Sequence, residues 1–458
     1  MKKLALALAG TMVALSVAAC GGTTATTTQG SAAGTTAKPA ETTKAAETTK
    51  APENTTAEAA KVELTWWVPP TFIQDKDAPA GTYEQQLVDA FTAENPNITI
   101  KVETIDFTTA SEKITAAIEG GNAADILFDA PGRIIEYGKN GKLVPLGDMF
   151  TDEFVQDVGN DAMLSACMGN GEYYMYPLSA SPFYMAINKD MWEASGAMEH
   201  VNLEGDRSWT TDDFEQAIIK LEAAGYNPGV LFCSGQGGDQ GTRAFINNLY
   251  SSNTVNADRT AYAFDSENGI KALTKAQEWL DAGTLGNGVA YNGGGSIELF
   301  VAGTTSFETC WGTSAAGNNA ATMEAAGVTP ISLPFPSDDG KAELEYLVNG
   351  LCIFDNGDAA KADAAKLFIK WLADQTEAVT RTGAFPVMQS MGNLYPGDEE
   401  KALLSEFTKM YGPYYNTMDG FANMRAQWYG MLQKLHEGAD PATIAKEAVT
   451  AANAGMNP

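Results

Sequence analysis

The sequence predicts an α/β protein, because segments with strand periodicity alternate with segments of helical periodicity along most of the chain. The first group reads strand, helix, strand, with "VELTWWV" (Val62–Val68) as one strand and "ITIKVETI" (Ile98–Ile105) as the next. This order begins a βαβ unit, whose two strands lie parallel in one sheet. The chain has 458 residues, too many for one ordinary hydrophobic core, so we expect two domains.

Breaker residues set the boundaries of the first elements. A Pro-Pro pair ends the first strand. Apolar residues then recur at helical spacing over Tyr83–Phe91, and this helix is predicted to end before Pro96. A second helix around Ile114 is closed by Gly120. The short apolar strand "ADILFDA" ends at Asp129.

The same alternation continues through the rest of the chain. "YYMYPL" and "YMAIN" are predicted to be two strands. Thr210 and Asp213 form a capping-box pattern at the start of a helix that Gly225 ends. "GVLFC" and "LVNGLCIF" read as further strands, and a helix around Trp371 follows the second of them. Binding sites in such proteins are expected at the carboxyl ends of strands.

The chain begins with the three parts of a secretory signal peptide. Two lysines precede an apolar run over Leu4–Ala19, and small residues lead to Cys20. The run is too short to span a bilayer comfortably. "VAAC" resembles the lipobox of bacterial lipoproteins, with Val17 where that pattern usually has Leu. The resemblance implies a signal peptide over residues 1–19 and a lipid on Cys20; the alternative is an ordinary signal with a chance cysteine.

A low-complexity segment follows Cys20. It is rich in Thr, Ala, Gly, Lys and Glu and lacks large apolar residues, so nothing in it offsets the entropy of ordering. We therefore expect residues 20–60 to be a lipidated cysteine with a disordered tether. The predicted location is the extracellular face of the cell membrane, reached through the lipid anchor.

Composition excludes some functions. The formal charge is −29, which argues against nucleic acid as a partner because phosphates require Lys and Arg. The four cysteines after Cys20 show no CxxC spacing, so we expect no metal site and no redox site. Buried free thiols are favoured for these four, although a disulfide stays open for a chain outside the cell.

Several segments together resemble a family. They include "AFTAENPNITIKV", "ADILFDAPGRIIEYGKNGKLVPL", "YPLSASPFYMAINKDMWEASG", "FVAGTTSFETCWGT" and "FANMRAQWYGMLQKLHEGADPATIAKEA". In this order and spacing they are similar to the extracellular solute-binding proteins that feed sugar ABC importers, of the maltose-binding type. The resemblance covers nearly all of residues 61–458.

The resemblance implies a two-lobed periplasmic-binding-protein fold of type II. One lobe would comprise residues 61–179 and 334–388, and the other residues 180–333 and 389–458. The lobes would be joined by hinge strands and close on a ligand in the cleft between them. The implied function is capture of a carbohydrate, in particular an oligosaccharide, and its delivery to the transmembrane subunits of a permease. We expect a monomer with no enzymatic activity and no cofactor.

Aromatic residues are the first class of predicted ligand contacts, because sugars present apolar C–H faces to flat rings. Trp66 and Trp67 end the first strand, and strand alternation lets only one of them face the core, so the other is assigned to the cleft. The resemblance adds Trp311 and Trp428, although helical spacing also allows Trp428 a place in the core. Phe183 follows the first crossing between the lobes.

Polar residues are the second class, since hydroxyl groups need hydrogen-bonding partners. Asp129 and Arg133 follow a strand, with a helix N-cap and a solvated charge as their respective alternatives. The loop "SGQGGDQG" lacks the Lys of a phosphate loop. The resemblance places this loop at the cleft instead, and the alternative is a mobile surface loop. The remaining predicted contacts are Ser181, Gln236, Asp239, Glu308, Asn349 and Gly350.

Two other functions stay open at this level. A surface glycoside hydrolase needs two suitably spaced carboxylates, and with 58 acidic residues chance pairs are uninformative. A Ser-His-Asp triad is not favoured, because the only histidines, His200 and His436, lie in no nucleophile-like setting. An adhesin or scaffold would show no melting-temperature shift with small ligands.

Overall fold

The computed structural model describes residues 60–105 and 110–456, and within them the chain alternates strands and helices. The α/β class predicted from sequence is confirmed. The strands are Val62–Val68 (β1), Ile98–Thr104 (β2), Ile126–Asp129 (β3), Met168–Gly169 (β4), Glu172–Tyr173 (β5), Tyr176–Asn188 (β6), Val230–Phe232 (β7), Gly286–Gly288 (β8), Phe307–Gly312 (β9), Pro330–Leu333 (β10), Tyr346–Ile353 (β11) and Phe385–Pro386 (β12).

Helices separate most of these strands. They are Thr82–Glu94 (α1), Ala110–Gly120 (α2), Pro131–Lys139 (α3), Asp152–Val158 (α4), Asp161–Ala166 (α5), Lys189–Ser195 (α6), Thr211–Ala223 (α7), Asp239–Leu249 (α8), Glu267–Ala282 (α9), Gly293–Val301 (α10), Ala315–Asn318 (α11), Ala320–Ala326 (α12), Ala359–Ala373 (α13), Thr376–Arg381 (α14), Glu399–Phe407 (α15), Phe421–His436 (α16) and Pro441–Ala454 (α17). Short 3₁₀ turns occupy Gly147–Met149, Ala197–His200, Gln389–Met391 and Thr408–Met410.

The long strand β6 organises the main sheet, whose order is β10-β6-β11-β3-β1-β2. Strand β1 pairs in parallel with β2 and β3, as a βαβ unit requires. The first half of β6 pairs antiparallel with β11 and β12, and its second half pairs with β9 and β10. One continuous strand therefore pairs with two different sets of neighbours along its length.

Two separate hydrophobic cores lie on this sheet, and each is the core of one lobe. The core of the first lobe takes buried residues from Leu64 to Ala180, returns for Tyr346–Val379, and adds Val387 and Tyr414. The core of the second lobe takes residues from Tyr184 to Leu344, adds Phe385, and finishes with residues from Leu404 to Ala452. The chain changes lobes along β6, before β11 and at β12, where the three strands lie side by side.

Most predicted elements coincide with observed ones. Strand β1 covers the predicted Val62–Val68. The predicted capping box is confirmed, because the Thr210 hydroxyl accepts from the Asp213 N–H at 3.1 Å and the Asp213 carboxylate accepts from the Thr210 N–H at 3.2 Å. The prediction of two separate strands around "YYMYPL" and "YMAIN" is wrong, because one strand, β6, covers both segments. Pro182 does not interrupt β6, since antiparallel pairing continues on both sides of it.

Two sets of sequence predictions concern chain termini and thiols. The signal peptide, the Cys20 lipid and the tether lie outside the described residues.

The four cysteines of the described residues are buried free thiols, and burial raises the pKa of each of them; they are Cys167, Cys233, Cys310 and Cys352. None of the helices in the described ranges combines the length and apolar character that crossing a membrane requires.

Candidate functional site

A cavity of about 880 Å³ opens between the two lobes. Its first-lobe wall is helix α3, and its second-lobe wall is formed by helix α8, the loop before α16 and the first turns of α16. The side chains that line it include Arg133, Lys139, Phe183, Gln240, Arg243, Leu347, Tyr414, Phe421 and Arg425. Its volume lies within the range usual for small-molecule sites.

The first-lobe wall presents an Arg–Asp pair. Strand β3 ends at Asp129, and Pro131 begins helix α3 two residues later, so Arg133 lies one turn beyond the carboxylate. The Arg133 guanidinium donates to both Asp129 oxygens, from Nε at 2.6 Å and from Nη2 at 2.7 Å. Burial alone would lower the pKa of Arg133, but its hydrogen bond to Asp129 and the charge of Asp129 raise it. The two side chains therefore hold each other in a fixed orientation on the cavity wall.

The alternative role of Asp129, as a helix N-cap, is not the one observed. The residue at the N-cap of α3 is Ala130, and its own side chain makes no capping hydrogen bond. The Asp129 carboxylate instead accepts from the Ala130 N–H at 2.7 Å and from Arg133. The carboxylate is buried, and Arg133 keeps 34% of its side chain exposed toward the cavity.

The second-lobe wall is built around the buried carboxylate of Asp239. This residue is the first of helix α8, directly after Gly238, whose φ of 79° is in the left-handed region. The carboxylate accepts from Arg243 one helical turn later. It also accepts from Arg425 of helix α16, whose Nη2 lies 2.6 Å from Oδ1. One carboxylate thus holds together two guanidinium groups that line the cavity.

Arg243 joins this wall to the hinge. Its side chain is 2% exposed, and its Nη2 donates to Glu345, directly before strand β11, at 3.0 Å. Tyr415 donates its hydroxyl to the same carboxylate. Burial alone would lower the pKa of Arg243, but the charges of Glu345 and Asp239 raise it well above its usual value. The Glu345 carbonyl also accepts the Phe183 N–H at 2.8 Å, so this network lies where β6 and β11 cross.

The apolar part of the cavity comes from aromatic and aliphatic side chains on several segments. Phe183 lies on β6, Leu347 on β11, and Phe421 is the first residue of α16. Tyr414 adds a ring from the loop before α16. Phe183 and Phe421 are both partly exposed, so flat apolar faces are available next to the guanidinium groups.

One ion pair connects the two walls directly. Lys139, the last residue of α3, lies 2.7 Å from Asp419 and donates to the Thr417 carbonyl at 2.8 Å. A second contact between the lobes runs from Arg259 to the Ser165 hydroxyl at 2.8 Å. Within the described residues, no cluster of His, Cys, Asp and Glu side chains is arranged to hold a metal ion.

The family model for bacterial extracellular solute-binding proteins matches residues 75–379. This chain belongs to that family. A Brucella abortus (strain 2308) protein named as a binding protein is 30% identical over 141 residues, which is 31% of this chain. The matched part spans about a third, 32%, of that relative's own length.

Solved structures share the fold of this solute-binding protein. The cyclic alpha-maltosyl-1,6-maltose binding protein from Arthrobacter globiformis is 22% identical, with a TM-score of 0.72, over 87% of this chain and 99% of that one. The sugar-binding protein MalE from Xanthomonas citri is 15% identical, with a TM-score of 0.68, over 86% of this chain and 97% of that one. Both likenesses support the two-lobed α/β architecture.

The tryptophan predictions require correction. In this solute-binding protein Trp66, Trp311 and Trp428 are at most 1% exposed, and they pack edge-on against Phe368, Phe300 and Phe264 respectively. Trp67 is 5% exposed and donates its indole N–H to Glu103 at 2.9 Å. Neither Trp66 nor Trp67 faces the cleft, because β1 is an inner strand of the sheet and both of its faces are covered.

Four other predicted contacts lie away from the cavity lining. Glu308 is buried beneath the second-lobe wall, where it bonds the Ser296 hydroxyl and the Cys310 N–H. The close backbone approach at Gly350 is to strand β6, since an added Cβ would lie 2.4 Å from the Tyr176 carbonyl oxygen. Asn349 and Ser181 lie on the crossing strands, and Asn349 is buried beside Ser179.

The remaining predicted residues lie at the cavity. Arg133 and Phe183 line it, and Asp129 and Asp239 hold lining guanidinium groups. Gln236 donates to the Ala422 carbonyl at 3.1 Å, which ties the glycine-rich loop to helix α16.

Several lining residues were not predicted, namely Lys139, Gln240, Arg243, Leu347, Tyr414, Phe421 and Arg425. For α16 a signal existed in the sequence. Met424, Trp428 and Met431 have core spacing, and all three are buried. Phe421 and Arg425 share a different face, one turn apart, and that face meets the cavity.

Proposed function

We propose that this protein is the substrate-binding component of an ABC importer that captures a carbohydrate in the cleft between its lobes. The observation that carries the proposal is the cavity of about 880 Å³, in which paired guanidinium and carboxylate groups adjoin partly exposed aromatic faces. Such a lining matches a sugar, whose hydroxyl groups donate and accept hydrogen bonds while its ring C–H faces are apolar. Membership of the solute-binding family supports the reading.

An oligosaccharide is the proposed ligand size. Structural relatives are named for binding cyclic maltosyl-maltose and as a maltodextrin-binding protein in complex with maltotetraose. The cavity extends from helix α3 in one lobe to Met456, just after helix α17, in the other, so a ligand with more than one ring has contacts available in both lobes.

Hinge closure is the proposed mechanism of capture. Three strand segments connect the lobes, and residues of both lobes line the cavity. A ligand that contacts both halves binds the closed form more tightly than the open form, and so shifts the population toward closure. No bond of the ligand is made or broken in this process.

We also propose the lobe boundaries inferred from sequence, residues 61–179 and 334–388 against residues 180–333 and 389–458. The two hydrophobic cores support this division in general. The exceptions are Ala180, Phe385 and Tyr414, each of which packs in the core of the other lobe, and residues 334–344, of which Phe335, Ala342 and Leu344 pack in the second-lobe core. The return crossing is therefore better assigned to Glu345, directly before β11.

Calorimetry over a panel of saccharides tests the function. We expect one-to-one binding of at least one oligosaccharide to the chain, with no release of reducing ends during prolonged incubation. Tight binding of a peptide or a metal ion, with no saccharide bound, contradicts the proposal. Release of reducing ends favours the glycoside hydrolase instead.

Anchoring and delivery belong to the same proposal. Cys20 is the proposed lipidation site, and the permease is the proposed recipient on the membrane. Expression of the full chain with Cys20→Ala is expected to release the protein from the membrane fraction and to remove the diacylglycerol mass from the mature N-terminus. Retention of the variant in the membrane fraction contradicts lipid anchoring at Cys20.

A further inference from the structure

Every cationic side chain described in the cavity lining is paired with a carboxylate. Among the described residues, four cationic side chains line it, namely Arg133, Lys139, Arg243 and Arg425. Each lies within ion-pair distance of a carboxylate, respectively those of Asp129, Asp419, Asp239 with Glu345, and Asp239. Glu136 adds a further negative charge to the lining. The lining offers hydrogen-bond donors, but its positive charge is already neutralised.

Asp239 has the central place in this arrangement. Its side chain is 2% exposed and bonds two guanidinium groups, whereas each of the other carboxylates bonds one cation of the lining. Arg425 keeps 26% of its side chain exposed, so its remaining N–H groups can reach a ligand. A buried carboxylate between two guanidinium groups screens their charge at short range, where the local dielectric constant is low.

The pairing has consequences for an anionic ligand. A carboxylate or phosphate on the ligand would have to displace Asp239 or Asp129 from its guanidinium partner, or remain without a counter-charge in a partly buried site. An unpaired charge of this kind is costly, because it loses water without gaining a partner. A neutral hydroxyl group meets no such cost and accepts from a guanidinium that stays paired.

We propose that these paired carboxylates, and Asp239 above all, make the cleft selective for neutral saccharides against acidic ones. This inference rests on the proposed function, since it specifies the class of carbohydrate that the cleft takes. Asp239 acts here as a specificity-determining residue through Arg243 and Arg425. Its replacement by the isosteric amide would remove the carboxylate partner of Arg425 on the second-lobe wall.

The test uses matched ligands. Neutral gluco-, galacto- and manno-oligosaccharides are each compared with the form in which one primary alcohol is oxidised to a carboxylate. Calorimetry gives the ratio of the two dissociation constants for the wild-type chain and for Asp239→Asn. The control is Asp148→Asn, which releases Lys366 from an exposed ion pair in the first lobe, away from the cavity.

We expect the wild-type chain to prefer the neutral form, and Asp239→Asn to shift the ratio toward the acidic form by about tenfold or more, the size of one charge-assisted hydrogen bond. The control variant should leave the ratio unchanged. A purely structural role for Asp239 would weaken both ligands alike and leave the ratio unmoved. The inference is overturned if the wild-type chain binds the acidic form as tightly as the neutral form or more tightly. It is also overturned if the ratio of dissociation constants is the same in the wild-type chain and in Asp239→Asn.

Two further outcomes are separable. If Asp239→Asn does not fold by circular dichroism, Asp129→Asn takes its place, because Arg133 is partly exposed and would become the unpaired cation. The same shift toward the acidic form is expected there, and an unchanged ratio overturns the inference. If neither form of any saccharide binds the wild-type chain, the proposed function fails and this inference falls with it.

Discussion

The Arg133 guanidinium donates two hydrogen bonds to a single buried carboxylate, and this fixes its plane against the cavity wall. Nε and Nη2 donate to Asp129, while the remaining N–H groups of the guanidinium are directed away from Asp129. Arginine is suited to the position because its planar fork is held rigidly by such bonds. At the residue scale, recognition therefore depends on groups that are oriented before a ligand arrives.

Substitution of Arg133 tests this orientation. We expect Arg133→Ala to weaken saccharide binding by about 1.5–3 kcal/mol, the range for hydrogen bonds to charged groups. Arg133→Lys keeps the charge and loses the bidentate geometry, so it should recover only part of the affinity. Calorimetry measures both. Equal affinity in all three proteins would contradict a ligand-binding role for Arg133.

Trp428 is a residue of the core, and its substitution separates stability from binding. Its ring packs on Phe264, and its indole N–H donates to the Thr242 hydroxyl at 3.1 Å. We expect Trp428→Ala to lower the free energy of unfolding by roughly 3–5 kcal/mol, measured by urea denaturation. Trp428→Phe keeps most of the volume and should cost less. A variant that loses affinity with unchanged stability would restore Trp428 to the ligand site.

At the scale of elements, short polar contacts connect strands to the helices that form the site. Strand β9 lies between β6 and helix α8, and Glu308 on β9 bonds Ser296 of α10. Helix α8 can approach β9 closely only because of Gly241, where a Cβ would lie 2.6 Å from the Thr309 carbonyl oxygen. The second-lobe wall thus depends on packing behind it as well as on the groups that face the cavity.

Glu308 makes this packing dependent on pH. Burial raises its pKa to about 7, against the opposing hydrogen bonds from Ser296 and the Cys310 N–H. The folded protein therefore holds a proton on Glu308 between about pH 4.5 and pH 7 that the unfolded chain has lost. Because the native state binds more protons in this window, the free energy of unfolding should fall as pH rises through it.

The measurement is chemical denaturation at a series of pH values, with Glu308→Gln as the matched variant. The amide cannot ionise and has the groups to replace both hydrogen bonds. We expect the stability of the wild type relative to the variant to fall by about 3 kcal/mol between pH 4.5 and pH 7, and to level off above that. A constant difference across this range would contradict a raised pKa at Glu308.

On the scale of the whole molecule, two lobes are joined by three strand segments and touch again across the cavity. The Lys139–Asp419 pair and the Arg259–Ser165 hydrogen bond connect the lobes outside the crossing strands. Such contacts form only when the lobes approach, so they favour the closed form over the open form. They add to whatever free energy the ligand contributes to closure.

Removal of one of these contacts should weaken closure. We expect Lys139→Ala to reduce saccharide affinity a few-fold, since a partly exposed ion pair contributes roughly 0.2–1 kcal/mol. The change should appear mainly as faster dissociation, and it should shrink at high salt. The control is Lys366→Ala, which removes an ion pair within the first lobe, where Lys366 Nζ lies 2.8 Å from Asp148 Oδ2. Equal effects of the two substitutions would contradict a role for Lys139 in closure.

The sequence by itself determined the architecture of this protein. Strand β1, helix α1 with its stop before Pro96, and the capping box at Thr210 follow from local patterns, because backbone hydrogen bonding and side-chain periodicity act over a few residues. Asp129 and Arg133 were assigned to the site through the family resemblance, and both belong to the segment that joins one strand to the next helix.

Only the tertiary structure decided which side chains face the cavity. Asp239 and Arg425 are 186 positions apart and meet because helices α8 and α16 pack together. The tryptophans were misassigned because a strand pattern does not tell whether a second layer covers its other face, and β1 is covered on both. Burial and ion pairing depend on contacts between distant segments, so they follow from the fold and cannot be read from sequence neighbours.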